Sequence, residues 1–293
     1  MGKKKRNMER TVFNIVGYTF ASILALACLL PFVLVVSGSF SENALILTQG
    51  YSLLPRGFSL YAYESIFENP AKIANAYGVS LSVTFLGTVL SVLFTSMAGY
   101  VLSRPDFEYA NRYAFFLYFT TLFSGGTIPW YIMTRNVLHL SNTIWALIIP
   151  GLMGSFNIFL FRNFLNSISH SFVEAARIDG ASEFRIYTQI VMPLAKPAIA
   201  TIALFVGLAY WNDWFRASLL IDDSQLYPLQ YVLVQLMNSA KVLVDTSVVR
   251  DDPVPGETMK MAMAIITTGP VLLFYPFAQR YIVGGLTVGG VKG

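Results

Sequence analysis

The sequence predicts an all-α membrane protein built on six transmembrane helices. Three observations carry that expectation. First, the chain is 55% hydrophobic and only 12% charged, with a mean hydropathy of +0.58. A soluble domain carries about 25% charged residues, so most of this exterior must face lipid. Second, six stretches approach or exceed the roughly 20 apolar residues that a bilayer core requires. Third, Lys and Arg collect on alternate connections between those stretches. The length could hold two soluble domains, but this composition predicts one polytopic membrane domain.

The spans are predicted at 12–36, 75–102, 113–133, 143–161, 198–221 and 259–282. Inside lipid every backbone N–H and C=O must be satisfied within the segment, so each is expected to be a helix. Pro31, Pro129, Pro150, Pro270 and Pro276 fall in or near them and can kink them. The first span follows Lys3, Lys4, Lys5 and Arg6. Its apolar run is far longer than a signal-peptide core and no small-residue cleavage site follows, so an uncleaved span is expected.

Orientation follows from charge. With the N-terminus inside, the inner segments hold Lys3, Lys4, Lys5, Arg6, Arg10, Arg104, Arg112, Arg162, Arg177, Arg185, Lys196, Arg280 and Lys292. The outer segments hold Arg56, Lys72, Arg135, Lys241 and Arg250. This asymmetry satisfies the positive-inside rule and rejects the inverted topology. The expected organisation is a cytoplasmic tail over 1–11, a membrane domain over 12–282 with a cytoplasmic loop at 162–197, and a cytoplasmic tail over 283–293. Two long outer segments, 41–72 and 222–258, read either as docking surfaces for an outside partner or as solvated connectors. The net charge of +4 is no nucleic-acid footprint in such a chain. Cys28 stands alone, so no intrachain disulfide forms. His139 and His170 lack metal-ligand partners at useful spacing.

The longest polar stretch within this apolar chain is 171–197. Ser171 and Glu174 have capping-box spacing, which predicts a helix start. Gly180 breaks that helix, as a residue able to turn left-handed at a helix end. Ser182 can cap a second short helix, and Pro193 and Pro197 stop it before the fifth span. Periodicity alone fits an amphipathic helix on the inner membrane surface equally well.

Particular residues add to this. Glu174-Ala175-Ala176, then Gly180, then Ile190, Met192 and Pro193 resembles the E-A-A…G…I-x-L-P signature of ABC-importer inner-membrane permeases, with Met192 where Leu is usual. The run E-A-A-R-I-D-G-A-S resembles the carbohydrate branch, which includes the maltose importer. So do N-T-I-W-A-L-I-I-P at 142–150, Trp211-Asn212-Asp213 and the tail Q-R-Y-I-V-G-G-L-T-V-G-G-V-K-G at 279–293. Phe123-Ser124-Gly125-Gly126 and Tyr227-Pro228-Leu229-Gln230 resemble a subgroup that imports oligosaccharides derived from plant and algal polysaccharides, alginate among them.

The resemblance implies a type I ABC importer permease fold in the bacterial cytoplasmic (inner) membrane, with both termini cytoplasmic. It implies a coupling helix seated in an ATPase subunit, with Glu174, Ala175, Ala176, Arg177, Asp179 and Gly180 docking there. It also implies partners: a second homologous permease, two ATPase subunits and an extracytoplasmic solute-binding protein. The tail at 286–293 either contacts the ATPases or is disordered. There is no G-x-x-x-x-G-K-[ST] loop, so ATP and Mg are expected on the partner subunits and no cofactor on this chain.

The substrate-pathway candidates are Trp211, Asn212, Asp213, Trp214 and Phe215. Aromatic faces beside hydrogen-bonding groups suit sugar rings, and an ionisable residue at membrane depth is a pathway candidate. Counted along a continuous helix from Ala198, Asp213 lies about 22 Å away, near the outer interface. There an aromatic belt with Asp213 paired to Arg216 fits equally well. Arg135 and Arg216 could favour an acidic sugar. A non-sugar solute is the alternative cargo, and a membrane-embedded enzyme or freestanding channel is the rival class.

Overall fold

The computed structural model describes residues 2–169, 171–245 and 256–288, with side chains at 10–169, 171–238 and 256–272. His170, part of the second long outer segment and the last five residues of the expected C-terminal tail lie outside the described residues. The described chain is overwhelmingly helical. Its residues fall into two compact units, one drawn from 1–70 and 235–269, the other from 71–234 and 270–293.

In the first unit, α1 (Gly2–Ser39) leads to two short helices, α2 (Asn43–Gln49) and α3 (Tyr61–Ile66). From Arg10 to Ser39, α1 has none of its most apolar window buried. Val12, Phe13, Phe20 and Leu26 stand open around it, as hydrocarbon-facing residues would. At its end, the Glu42 N–H donates to the carbonyls of Arg56 and Gly57 at 2.9 and 2.8 Å. The Asn43 Oδ1 accepts from the N–H groups of Glu257 and Thr258. It thereby caps, from another element, the long final helix Gly256–Val288.

The second unit is organised on α4 (Pro70–Ser103). Its buried face runs Val79, Val83, Gly87, Ser91, Thr95 and Gly99, one residue every four. Small residues there let other backbones approach closely, the usual device for packing helices in lipid. A Cβ on Gly87 would stand 2.7 Å from the Tyr210 ring, and one on Gly99 would stand 2.9 Å from Phe161. The opposite face, with Leu81, Phe85, Val89 and Phe94, is exposed and apolar. Gly99→Val should therefore cost about 1–3 kcal/mol by overpacking against the fully buried Phe161. Gly78→Val, whose new side chain meets open space, should cost far less. Thermal unfolding of the two variants in detergent compares them.

The predicted third span, 113–133, is interrupted. Helix α5 (Ala110–Leu122) stops, and α6 (Thr127–Ile132) restarts before a π-helical turn at Met133–Val137. Gly126 adopts φ +85°, and its N–H bonds the Ser124 hydroxyl. The predicted fourth span, 143–161, is also broken. Helix α7 (Ile144–Ile148), capped by Thr143, tightens into a 3₁₀ turn at Ile149–Gly151, and α8 (Ser155–Asn166) leaves at 48°. Pro150 is the cause, because it has no N–H for the ladder.

The chain then passes through α9 (Ser171–Ile178) and α10 (Glu183–Ile186), a π-helical turn at Tyr187–Val191 and α11 (Met192–Leu194). Helix α12 (Lys196–Trp211) follows at 80° to the Glu183–Leu194 segment, turning at the fully buried Ala195. Pro197 cannot donate to the Pro193 carbonyl, so the ladder opens there. The predicted fifth span, 198–221, ends early at Trp211 and resumes as α13 (Phe215–Leu220). Helix α14 (Leu229–Asp245) and α15 (Gly256–Val288) complete the described chain. Among the described residues two helices are singly long and apolar enough to cross a membrane, or up to four if each bent pair counts as one span.

Candidate functional site

The polar stretch forms two short helices joined by a tight turn. Helix α9 begins at Ser171 itself, whose hydroxyl meets that of Ser169 at 2.7 Å. The helix closes in a complete C-terminal motif. The Ala181 N–H donates to the Ala176 carbonyl at 2.9 Å, and the Gly180 N–H to the Arg177 carbonyl at 3.0 Å. Gly180 adopts φ +78° with open space where a Cβ would stand. Glycine is thus required for the backbone angle and not for room. Ser182 caps α10 by accepting from the Arg185 N–H.

The six residues of the E-A-A…G segment separate into two groups. Glu174, Ala175, Arg177, Asp179 and Gly180 are exposed. Ala176 is buried in the core with Ile186 and Tyr187. Arg177 points back along its own chain: its Nε donates to Glu183 at 2.8 Å, and its Nη2 to Asp106 at 2.7 Å. The guanidinium of Arg104 binds Asp106 from the other side at 3.0 Å. These hydrogen bonds, from Arg104 and then Arg177, hold the Asp106 carboxyl well below the usual carboxylate range. Two apolar residues project beside them, Ile178 at 86% exposure and Phe184 at 72%. Their residue types alone do not show which way these two side chains face. Only the phase of each helix shows that they point away.

The second arrangement lies where α7, α12 and α13 meet. Arg216 pairs with Asp213 at 2.9 Å and donates to the Leu147 carbonyl at 2.8 Å, lying over the Tyr210 ring. The Tyr210 hydroxyl donates to the Ile148 carbonyl at 2.9 Å and pairs with Ser91 at 3.2 Å. Both carbonyls lie at the C-terminal end of α7, so α12 and α13 add side-chain donors where its regular ladder stops. Gly151 leaves space for this, since a Cβ there would stand 2.7 Å from the guanidinium. Nearby, Asn142 holds a left-handed φ of 57°, and its Oδ1 accepts from the N–H groups of Asp222 and Asp223.

Of the five pathway candidates, Trp211 is buried and packs on Tyr77. Asp213 is committed to Arg216. Asn212 is exposed, donates to the Leu208 carbonyl and accepts from Gln230. Trp214 and Phe215 are exposed. The second cation suggested for an acidic sugar, Arg135, is engaged by Tyr131 at 2.7 Å and faces Asp222 at 3.7 Å.

A profile of the binding-protein-dependent transport system inner membrane component family matches residues 85–288. The chain belongs to that family. The match takes in the polar stretch at 171–197 and the α7–α12–α13 junction together. The chain is 38% identical to the polygalacturonan/rhamnogalacturonan transport system permease protein YtcP of Bacillus subtilis, over 98% of this chain and all of that one. It is 29% identical to the arabinooligosaccharides transport system permease protein AraQ of Halalkalibacterium halodurans, over 95% of each. Among solved structures it resembles a chain from a bacterial ABC transporter involved in the import of the acidic polysaccharide alginate. That likeness has a TM-score of 0.77 at 32% identity and covers 92% of this chain and 96% of the other. The helical architecture is thus that of an ABC-importer permease, a transport component of the inner membrane.

Proposed function

We propose that this chain is one of two permease subunits of an importer for oligosaccharides derived from acidic polysaccharides. The observation that carries the proposal is near full-length similarity to permeases named for polygalacturonan/rhamnogalacturonan and for alginate. Polygalacturonan and alginate both carry carboxylates on their sugar rings. The remaining partners are a second homologous permease, two ATPase subunits that bind ATP and Mg, and an extracytoplasmic solute-binding protein. The chain crosses the membrane six times with both termini cytoplasmic, the broken third, fourth and fifth segments each counting as a span.

The segment 171–186 serves as the coupling helix. Its docking face consists of Glu174, Ala175, Asp179 and Gly180, flanked by Ile178 and Phe184. Ala176 and Arg177 support that face from behind. A charged rim around two apolar anchors suits a protein cleft better than a lipid surface, which would leave Glu174 and Asp179 facing anionic headgroups. Glu174→Lys should lower co-purification of the ATPase subunits while membrane insertion persists. Normal recovery of those subunits would remove the docking assignment.

Asn212, Trp214 and Phe215 are the pathway residues open to a sugar. Arg216 and Arg135 are both engaged within the chain. Uptake by the whole complex in proteoliposomes tests the cargo, using labelled oligogalacturonates, alginate oligosaccharides, neutral maltooligosaccharides and amino acids. Uptake of the acidic oligosaccharides is expected. Transport of amino acids alone would overturn the reading.

A further inference from the structure

The polar groups behind the coupling segment form one connected set that no docking role requires. Tyr100, on the last turns of α4, donates to Glu183 at 2.9 Å, and Arg104 approaches the same carboxylate at 3.5 Å. Arg104 also grips Asp106 through two nitrogens, at 3.0 and 3.2 Å. Asp106 in turn binds Arg177, and Arg177 closes the circuit on Glu183. One turn further into α4, Ser96 meets the Tyr187 hydroxyl at 2.7 Å. The circuit therefore joins α4, the loop after it, α9 and α10 across sequence separations of 71 to 91 residues. The Arg104 side chain is 10% exposed and anchors the circuit, while those of Arg177, Asp106 and Glu183 are 41%, 51% and 54% exposed, and guanidinium–carboxylate forks fix orientation as well as distance.

From this geometry we infer that Arg177 and Asp106 are positioning residues, which tether the coupling segment to the inner end of α4 so that the two move as one body. The inference rests on the proposed docking of the coupling segment. It adds that force reaches α4 through charged pairs that bridge 71 to 83 residues of sequence. Arg177 then acts away from the ATPase surface, although it lies within the docking sequence.

The experiment uses the complete importer with its partner permease, ATPase subunits and binding protein, reconstituted in proteoliposomes. Two quantities are read: recovery of ATPase subunits with the permease, and ATP hydrolysed per solute imported. Asp106→Asn should retain the ATPase subunits fully but raise the ATP used per solute by about fivefold or more, the range of a typical coupling energy. Arg177→Gln should raise the ratio likewise, and the double variant should be no worse than the worse single variant, since both break one link. Tyr100→Phe removes a single hydroxyl and should shift the ratio in the same direction by less.

A wild-type ratio in Asp106→Asn and Tyr100→Phe would overturn the tether. So would single effects that multiply in the double variant. Loss of ATPase subunits from Asp106→Asn, as expected for Glu174→Lys, would place this circuit at the docking surface instead. Normal ATPase recovery in Glu174→Lys with an altered ratio in Asp106→Asn would remove Glu174 from the docking face and leave the tether standing.

Discussion

Replacing Arg216 with alanine should lower the stability of the folded chain by about 3–5 kcal/mol, the cost of stripping one partner from a mostly buried ion pair. Its side chain is 21% exposed and that of Asp213 is 16% exposed, so neither group has bulk water as a ready substitute. The alanine variant would leave two groups short, the Asp213 carboxylate and the Leu147 carbonyl. Arg216→Lys should recover only part of the loss. An ammonium is a single point of charge and cannot copy the planar fork that spans Asp213 and Leu147. A double variant, Asp213→Leu with Arg216→Leu, should be less damaged than Arg216→Ala, because it buries no unpaired charge. Thermal unfolding in detergent would rank the three. A near-wild-type midpoint for Arg216→Ala would show that water or lipid headgroups already satisfy the α7 break.

Gly180→Pro should abolish association with the ATPase subunits while leaving the membrane helices folded. Proline fixes φ near −65°, whereas this residue holds φ +78°. Proline also removes the N–H that closes α9 on the Arg177 carbonyl. The turn must open, and α9 and α10 then lose their relative placement. Smaller changes should grade the effect. Gly180→Ala keeps the N–H and meets no atoms, so it should cost only the left-handed penalty of roughly 1–2 kcal/mol. Gly180→Asn should cost less, since asparagine visits that region more readily. Equal ATPase recovery across glycine, asparagine, alanine and proline would mean that the turn does not shape the docking face.

The positions of the apolar stretches were legible in the sequence because lipid imposes a length and a composition. Helices α1, α4 and α15 overlap their predicted spans. The interruptions were not legible as interruptions. Hydropathy registers Ile149, Pro150 and Gly151 as apolar residues inside a span, and it says nothing about which side chains will reach the Leu147 and Ile148 carbonyls where α7 ends. Those donors, Tyr210 and Arg216, lie more than 60 residues away. Asp213 and Arg216 were readable as a pair from their spacing, but a continuous helix through Trp211 and Asp213 was assumed and does not form.

In the stretch 171–197, Gly180 and Ser182 behave as their residue types dictate, because a helix cap is a local interaction. Arg177 could not be placed from its neighbours. Its partner Asp106 lies 71 residues away, in the loop after α4. The exposure of Ile178 and Phe184 depends on which side of each short helix packs against the core, and that packing is tertiary.

The 80° turn at Ala195 gives the segment from Glu183 to Trp211 the form of a bell crank. One arm, Glu183–Leu194, carries the coupling turn, and the other is the 16-residue α12. At 1.5 Å per residue the second arm is about 24 Å long. Each degree of rotation about the buried pivot then sweeps its far end through about 0.4 Å by the same geometry. That far end is where Tyr210 holds the Ile148 carbonyl of the broken helix. A ten-degree stroke would carry it about 4 Å, more than a hydrogen-bond length. The junction at Ile148 must therefore either travel with α12 or let go, and the strength of the Tyr210 and Arg216 contacts decides which.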